Sequence, residues 1–106
     1  MQKDRMSILL DILLDKWIEY LTSTDILIIM YICNEMYKKG VKEYQIPMRD
    51  IGSAVRIGQG SVYNTFEKTE IFGIFVVDKS MKTTKVKFGK KLNLALIKKK
   101  RRLCSI

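Results

Sequence analysis

The segment from Asp50 to Asp78, DIGSAVRIGQGSVYNTFEKTEIFGIFVVD, constrains the fold more than any other part of the chain. The residues at its start predict a short helix over Met48–Val55, which Pro47 can begin because a proline ring suits a first helical turn. A second helix is predicted from Ser61, or the residues just before it, to Phe72, with Gly73 as its C-cap. The residues IFVVDK that follow are typical of a strand. Two short helices joined by a tight turn therefore lead directly into a β-strand.

The rest of the chain predicts further helices and short strands around this segment. Leucines spaced by three and four predict an amphipathic helix over residues 5–21, and residues 22–25 supply caps for an apolar helix over residues 25–39. Strands are predicted at residues 41–46 and 84–90, and a last helix is predicted over residues 92–97. The predicted inward face of the helix over residues 48–55 consists of Ile51, Ala54 and Val55. The expected fold is mainly α with a small β-hairpin, an α+β protein.

Charge is distributed unevenly along the chain. The 106 residues have a net charge of +9 and the size of a single domain. Residues 1–46 contain six Lys or Arg against seven Asp or Glu, whereas residues 47–106 contain fourteen against four. From Lys79 onward there are eleven Lys or Arg and no acidic residue. Such segregation is typical of a surface that binds a polyanion.

The composition argues against several other classes of protein. The chain has no histidine and two cysteines, so no zinc spacing or disulfide framework is expected. It also lacks a phosphate-binding loop and a nucleophile with an evident base, so neither an enzyme nor a bound cofactor is expected. The longest apolar run, Ile26 to Cys33, is far shorter than the roughly 20 residues of a membrane span. We expect a cytoplasmic protein without a signal peptide or membrane segment.

The segment from Asp50 to Asp78 resembles the winged helix-turn-helix of prokaryotic and archaeal transcription regulators. Ile51-Gly52 matches the apolar and small residues with which that motif begins, while Val55 and Ile57 flank the turn. Val62 and Phe66 match the residues that anchor its second helix. The segment departs from the motif at three positions: Arg56 stands where the turn usually has glycine, Gly58 replaces a Ser or Thr cap, and Thr69 replaces a leucine. The chain is also similar to small winged-helix proteins of archaeal viruses and plasmids.

The resemblance implies sequence-specific binding of double-stranded DNA and a role in transcription regulation. A recognition helix over about residues 59–72 would enter the major groove, and a basic wing over about residues 75–89 would lie on the phosphates. The candidate contact residues are Arg49, Arg56, Gln59, Gly60, Ser61, Tyr63, Asn64, Lys68, Lys79, Lys82, Lys85 and Lys87. The alternatives are a solvated helix face and a hairpin whose lysines only increase solubility. The run Lys98–Arg102 has three open interpretations: a DNA-contacting tail, a capped helix end or a solubilising segment.

Two other functions remain compatible with the same sequence. One is a replication-initiation or origin-binding module, which would also contact duplex DNA through a helix and a wing. The other is a winged-helix domain that binds protein and has no role on DNA.

The terminal helices also suggest self-association. A broad apolar face on the first helix and apolar residues of the last helix could form a homodimer interface, although the first helix could instead cover its own core. These residues are Leu9, Leu10, Leu13, Leu14, Trp17, Leu94, Leu96 and Ile97. Cys33 is expected to be buried, whereas Cys104 could form an interchain disulfide in such a dimer. Non-reducing electrophoresis that shows only monomer after air oxidation would contradict this disulfide.

Overall fold

The computed structural model describes residues 5–78 and 83–104, except for the side chains of Met48 and residues 100–104. The described chain is mainly helical with one small antiparallel sheet, as the sequence predicted. Its elements, in chain order, are α1 (Arg5–Trp17), α2 (Ser23–Lys39), β1 (Glu43–Ile46), α3 (Met48–Val55), α4 (Gln59–Phe72), β2 (Phe75–Asp78), β3 (Thr84–Phe88) and α5 (Lys90–Cys104).

Helix α2 begins and ends at the residues that its sequence indicates. The Thr22 hydroxyl accepts a hydrogen bond from the Asp25 amide, and the Asp25 carboxylate accepts one from the Thr22 amide, which completes a capping box. At the other end Gly40 adopts φ 64°, a left-handed conformation that costs glycine little. Between these caps Ile28, Ile29 and other apolar residues of α2 are buried, so α2 is the central helix of the core.

Helix α1 is shorter than the periodicity predicted. It ends at Trp17 rather than Leu21 and continues as a turn, in which the amides of Tyr20 and Leu21 share the Trp17 carbonyl. Thr22 then begins the cap of α2, which leaves no room for another helical turn. Leu21 is nevertheless buried, so the apolar pattern marked the core correctly although it overstated the length of the helix.

The sheet has the strand order β1-β3-β2, so the last strand in sequence is the central one. Both neighbours pair with β3 in antiparallel register, with Val86 opposite Tyr44 on one side and Val77 on the other. Val86 is fully buried and Lys87 is exposed, which is the alternation of a sheet with one face on the core. The predicted strand at residues 41–46 is confirmed in its last four residues as β1.

Helix α3 has the predicted bounds but a different inward face. Ile51 is buried and Val55 half-buried, whereas Ala54 is exposed. The prediction for Ala54 was wrong because, at about 3.6 residues per turn, the arc that faces the core runs from Ile51 through Val55 to Gly52. Gly52 takes the place that Ala54 was expected to occupy.

Helix α5 is longer than predicted and lies against α1. Its backbone continues through the basic run 98–102 to Cys104, so the run forms part of a helix and not a separate tail. The Lys99 ammonium lies 3.9 Å from the Asp15 carboxylate of α1. None of the described helices has both the length and the apolar character needed to cross a membrane.

Replacing Gly52 with alanine should destabilise the fold. A Cβ atom built there would lie 2.7 Å from the Ile57 carbonyl oxygen, which belongs to the backbone and cannot rotate away. We expect Gly52→Ala to lower the free energy of unfolding in urea by about 2 kcal/mol. Gly60→Ala is the control, because a Cβ at Gly60 meets nothing within 4 Å and should be neutral or stabilise α4. Equal stability of the two variants would show that α3 does not need a glycine.

Candidate nucleic-acid interface

Arg56 and Gly58, two of the residues that depart from the family motif, form the turn between α3 and α4. Arg56 ends α3 with φ 58° and ψ 45°, and among the described residues it is the only one besides glycine with positive φ. This left-handed conformation costs a non-glycine residue roughly 1 kcal/mol. The Ile57 amide donates to the Gly52 carbonyl at 2.8 Å, which closes the turn. Gly58, in extended conformation, is the N-cap of α4 and supplies no capping side chain.

Helix α4 is anchored by one buried face. Val62, Thr65, Phe66 and Thr69 have no measurable exposure, which confirms Val62 and Phe66 as the predicted anchors. Thr69 fits the core where leucine was expected, because its hydroxyl donates to the Phe66 carbonyl at 2.8 Å within the same helix. The opposite face of α4 is left on the surface.

A buried carboxylate joins α4 to the start of α2. Asp25 is only 4% exposed, and the Thr65 hydroxyl donates to its Oδ1 atom at 2.6 Å. Its Oδ2 atom accepts from the Lys68 ammonium at 2.8 Å and from the Thr22 amide at 2.9 Å. Sequence analysis identified Asp25 only as a capping residue, and its contacts with α4 were not predicted.

The pKa of Asp25 reflects two opposed effects. Burial by itself raises the pKa, because it disfavours the charged form. The hydrogen bonds from Lys68, Thr65 and Thr22 favour the carboxylate and outweigh burial, so the pKa lies below its ordinary value of 3.8. Asp25 is therefore ionised at neutral pH, and its buried carboxylate forms an ion pair with the partly exposed Lys68.

The first two turns of α4 expose hydrogen-bonding groups and no acid. Gln59, Gly60, Ser61, Tyr63 and Asn64 are all exposed, and the first acidic residue of the helix is Glu67. This end of the helix also carries the positive pole of the helix dipole and unsatisfied amides. Five of the six predicted positions on this helix therefore lie together on one accessible surface.

Lys68 is the exception among the predicted contact residues of α4. Its side chain is 37% exposed, but its ammonium is bound to Asp25 at 2.8 Å. A lysine is a suitable residue for contact with DNA. Lys68, however, lies at the edge of the buried face of α4, where its ammonium reaches the Asp25 carboxylate at the start of α2. We assign Lys68 to the support of α4 rather than to its exposed surface.

The two predicted arginines lie at opposite ends of α3. Arg49 and Arg56 are both exposed; Arg49 belongs to the first turn of α3 and Arg56 is its C-cap. The Arg49 guanidinium lies 3.9 Å from the adjacent Asp50 carboxylate, a distance at which its charge is only partly offset. Only Arg56, three residues before Gln59, is next to the start of α4.

The hairpin is less cationic than its sequence suggested. Lys85 is half-buried and stands opposite Asp78 in the β2–β3 register, while Lys87 is exposed and stands opposite Glu43 of β1. Lysines that have no acid nearby in sequence therefore have one directly across the sheet. The other two predicted wing residues, Lys79 and Lys82, lie outside the described residues.

The residues predicted for self-association are divided between core and surface. Leu9, Leu13 and Trp17 are buried in the core of the chain itself, so these three are not available to a partner. Leu10 and Leu96 are half-buried, whereas Leu14, Leu94 and Ile97 remain exposed. Cys33 is buried as expected, and burial raises the pKa of its thiol; the side chain of Cys104 lies outside the described ones.

Comparison with protein-family models and with curated protein sequences found no match to this chain.

Replacing Asp25 with asparagine should lower stability in a pH-dependent way. Because the folded pKa lies below 3.8, ionised Asp25 stabilises the fold above that pH, and the contribution is lost as the pH falls through the folded pKa. We expect Asp25→Asn to cost about 2 kcal/mol of unfolding free energy at neutral pH, measured in urea. The difference from wild type should shrink in acid.

Asp15→Asn is the matched control for this experiment. The Asp15 carboxylate is 76% exposed, and its distance of 3.9 Å from the Lys99 ammonium is long for an ion pair. Removing its charge should therefore change stability by less than about 0.5 kcal/mol. A cost for Asp25→Asn that is as small as this, or that does not vary with pH, would contradict the role assigned to the carboxylate.

Proposed function

We propose that this protein is a winged helix-turn-helix protein that binds double-stranded DNA in a sequence-specific manner and regulates transcription. The observation that carries the proposal is the accessible start of α4. It is uncharged and rich in hydrogen-bonding groups, and a part-buried ion pair between Lys68 and Asp25 anchors the second half of the same helix. A helix used for base recognition requires both properties, because its side chains must reach the bases while its own position stays fixed.

The order of the elements supports this proposal. The series α2, β1, α3, α4, β2 and β3 matches the order of helices and strands expected for a winged helix, and α1 and α5 are additions at its two ends. In this arrangement α3 and α4 pack on each other and on α2, and the β2–β3 hairpin follows α4 directly.

The dimensions and chemistry of α4 suit the major groove. The groove is about 12 Å wide and accepts one α-helix with its side chains. Gln59 and Asn64 carry amides that can pair with adenine through two hydrogen bonds, and Ser61 can reach a base or a phosphate. Tyr63 can contact a thymine methyl group or the backbone. Gly60 has no side chain to hold the sugar-phosphate backbone away.

Phosphate contacts would come from the residues around this helix. The amides at the start of α4, Arg49 and Arg56 form the described part of that surface, and Lys87 extends it to the hairpin. Lys79 and Lys82, between the two strands of the hairpin, belong to the proposed wing. As part of the same proposal, Leu14, Leu94 and Ile97 would contribute to a homodimer on a palindromic site.

One observation favours an alternative function. The acids opposite Lys85 and Lys87 lower the net charge of the hairpin, which a domain that binds protein would tolerate more readily than one that binds DNA. An origin-binding module remains the other alternative, and the location of the bound site in a genome would distinguish it from a regulator.

Binding to DNA should depend steeply on salt. We expect fluorescence anisotropy with a random duplex to give a linear fall of log K with log salt, with a slope near −0.9 for each phosphate that is neutralised. Against a site selected from a random library, Asn64→Ala should cost about 1–3 kcal/mol, because it removes a two-bond contact with a base.

Asn34→Ala provides the matched control, since Asn34 is an exposed, uncharged asparagine on α2; it lines a depression with Arg56 but lies outside the α4 surface assigned to the bases. It should leave the slope unchanged and cost much less affinity than Asn64→Ala. Absence of binding at low salt would overturn the DNA-binding proposal and favour a protein-interaction domain. Binding with equal losses for both asparagine variants would overturn the assignment of α4 to base recognition.

A further inference from the structure

A groove on another side of the molecule has the features of a small-molecule site. It lies between the start of α1, the end of α2 and the last residues of β3, and it has a volume of about 570 Å³. Cavities that hold small organic ligands typically measure roughly 300–1,000 Å³. A smaller cavity of about 310 Å³ adjoins it and shares Arg5, Tyr37, Phe88 and Asn93 with it, so the two form one continuous depression.

The walls of the groove are largely apolar and contain two aromatic rings. Tyr37 and Phe88 meet edge to face, with ring centroids 6.0 Å apart and an interplanar angle of 86°. Met36 and Val41 add aliphatic surface beside them. Such walls favour a ligand with a flat apolar body, because that body would displace water from surfaces that gain nothing from hydration.

The polar groups of the groove are mainly cationic. Arg5, Lys42 and Lys87 line it, and none of the described lining residues is acidic. The Arg5 guanidinium lies 5.5 Å from the centre of the Tyr37 ring, so the ring holds the cation against the wall. Burial raises the pKa of Tyr37, and its phenol therefore stays protonated and adds no negative charge.

Lys87 contributes less to this charge than the other two cations. Glu43 stands opposite Lys87 in the β1–β3 register and offsets part of its charge at the rim. Arg5 and Lys42 have no ion pair with any described residue at 4.0 Å or less. They are therefore the two groups most available to a bound anion.

We propose that this groove binds a small organic carboxylate with a flat, preferably aromatic body, which Arg5 and Lys42 hold by its carboxylate and Tyr37 and Phe88 hold by its face. Asn93 supplies a further hydrogen-bonding amide at the junction of the two cavities. A bare phosphate would leave the apolar walls in contact with water, so the groove suits a free metabolite better than a nucleic-acid backbone. The site is separate from the exposed face of α4, and the inference does not depend on DNA binding.

The test is a ¹H–¹⁵N correlation titration of the full chain with 2-naphthoate as the probe. We expect shifts concentrated at the amides of residues 36–42, 87–88 and 93, with saturation. Neutral 2-naphthamide, which has the same rings without the charge, should bind about tenfold more weakly, because it loses charge-assisted hydrogen bonds. Arg5→Met and Lys42→Met should each weaken naphthoate binding by a similar factor.

Lys16→Met is the control, since Lys16 is an exposed lysine at the other end of α1. It should bind the probe as wild type does, and dispersed spectra will show that every variant is folded. Equal affinity for naphthoate and naphthamide, or no effect of Arg5→Met and Lys42→Met, would overturn the carboxylate site. Inorganic phosphate that shifts the same amides with equal affinity would overturn it in favour of a simple anion-binding surface.

Discussion

The carboxylate of Asp25 holds the arrangement of helices together. A buried charge is costly unless it is paired and hydrogen-bonded, and Asp25 meets this condition only when Thr65 and Lys68 of α4 lie beside the start of α2. Any shift of α4 would leave the carboxylate with only its capping bond from the Thr22 amide. The need to pair this carboxylate therefore restricts the position of α4 more than apolar packing alone would. Because the exposed start belongs to the same helix, its position is restricted as well.

The net charge of the hairpin surface depends on residues that the sheet brings together from distant parts of the chain. In sequence the hairpin lysines form part of a long segment without acids, but the sheet places Asp78 and Glu43 opposite Lys85 and Lys87. An antiparallel sheet pairs residues that are far apart in the chain, so a local charge count overstates the field of a strand. The start of α4 has no charged side chain, and its positive potential comes from the helix dipole and the preceding Arg56, which do not depend on the hairpin.

Local chemistry in the sequence predicted most of the element boundaries. Gly73 ends α4 as expected because a left-handed cap is a property of one residue and its neighbours, and the same holds for the Thr22 cap of α2. The features that were missed involve contacts beyond the local sequence. Lys68 was predicted to contact DNA, and its ion pair was not predicted because Asp25, forty-three positions away, gives no local signal. Ala54 was predicted to face the core because α3 has only eight residues, and the apolar pattern of so short a helix does not show which side is buried.

The central position of β3 has a consequence for synthesis on the ribosome. Strand β1 pairs only with β3 in the sheet, and β3 follows it by about forty residues, so β1 has no partner when it first emerges. The contacts of helices α1 to α4 with one another can begin to form before that partner is made, whereas the packing of α1 on α5 and of α4 on β2 has to wait for residues beyond Phe72. The β2–β3 hairpin then closes the sheet late, and a nascent chain halted before residue 84 would present β1 as an unpaired edge, the kind of surface on which chains aggregate.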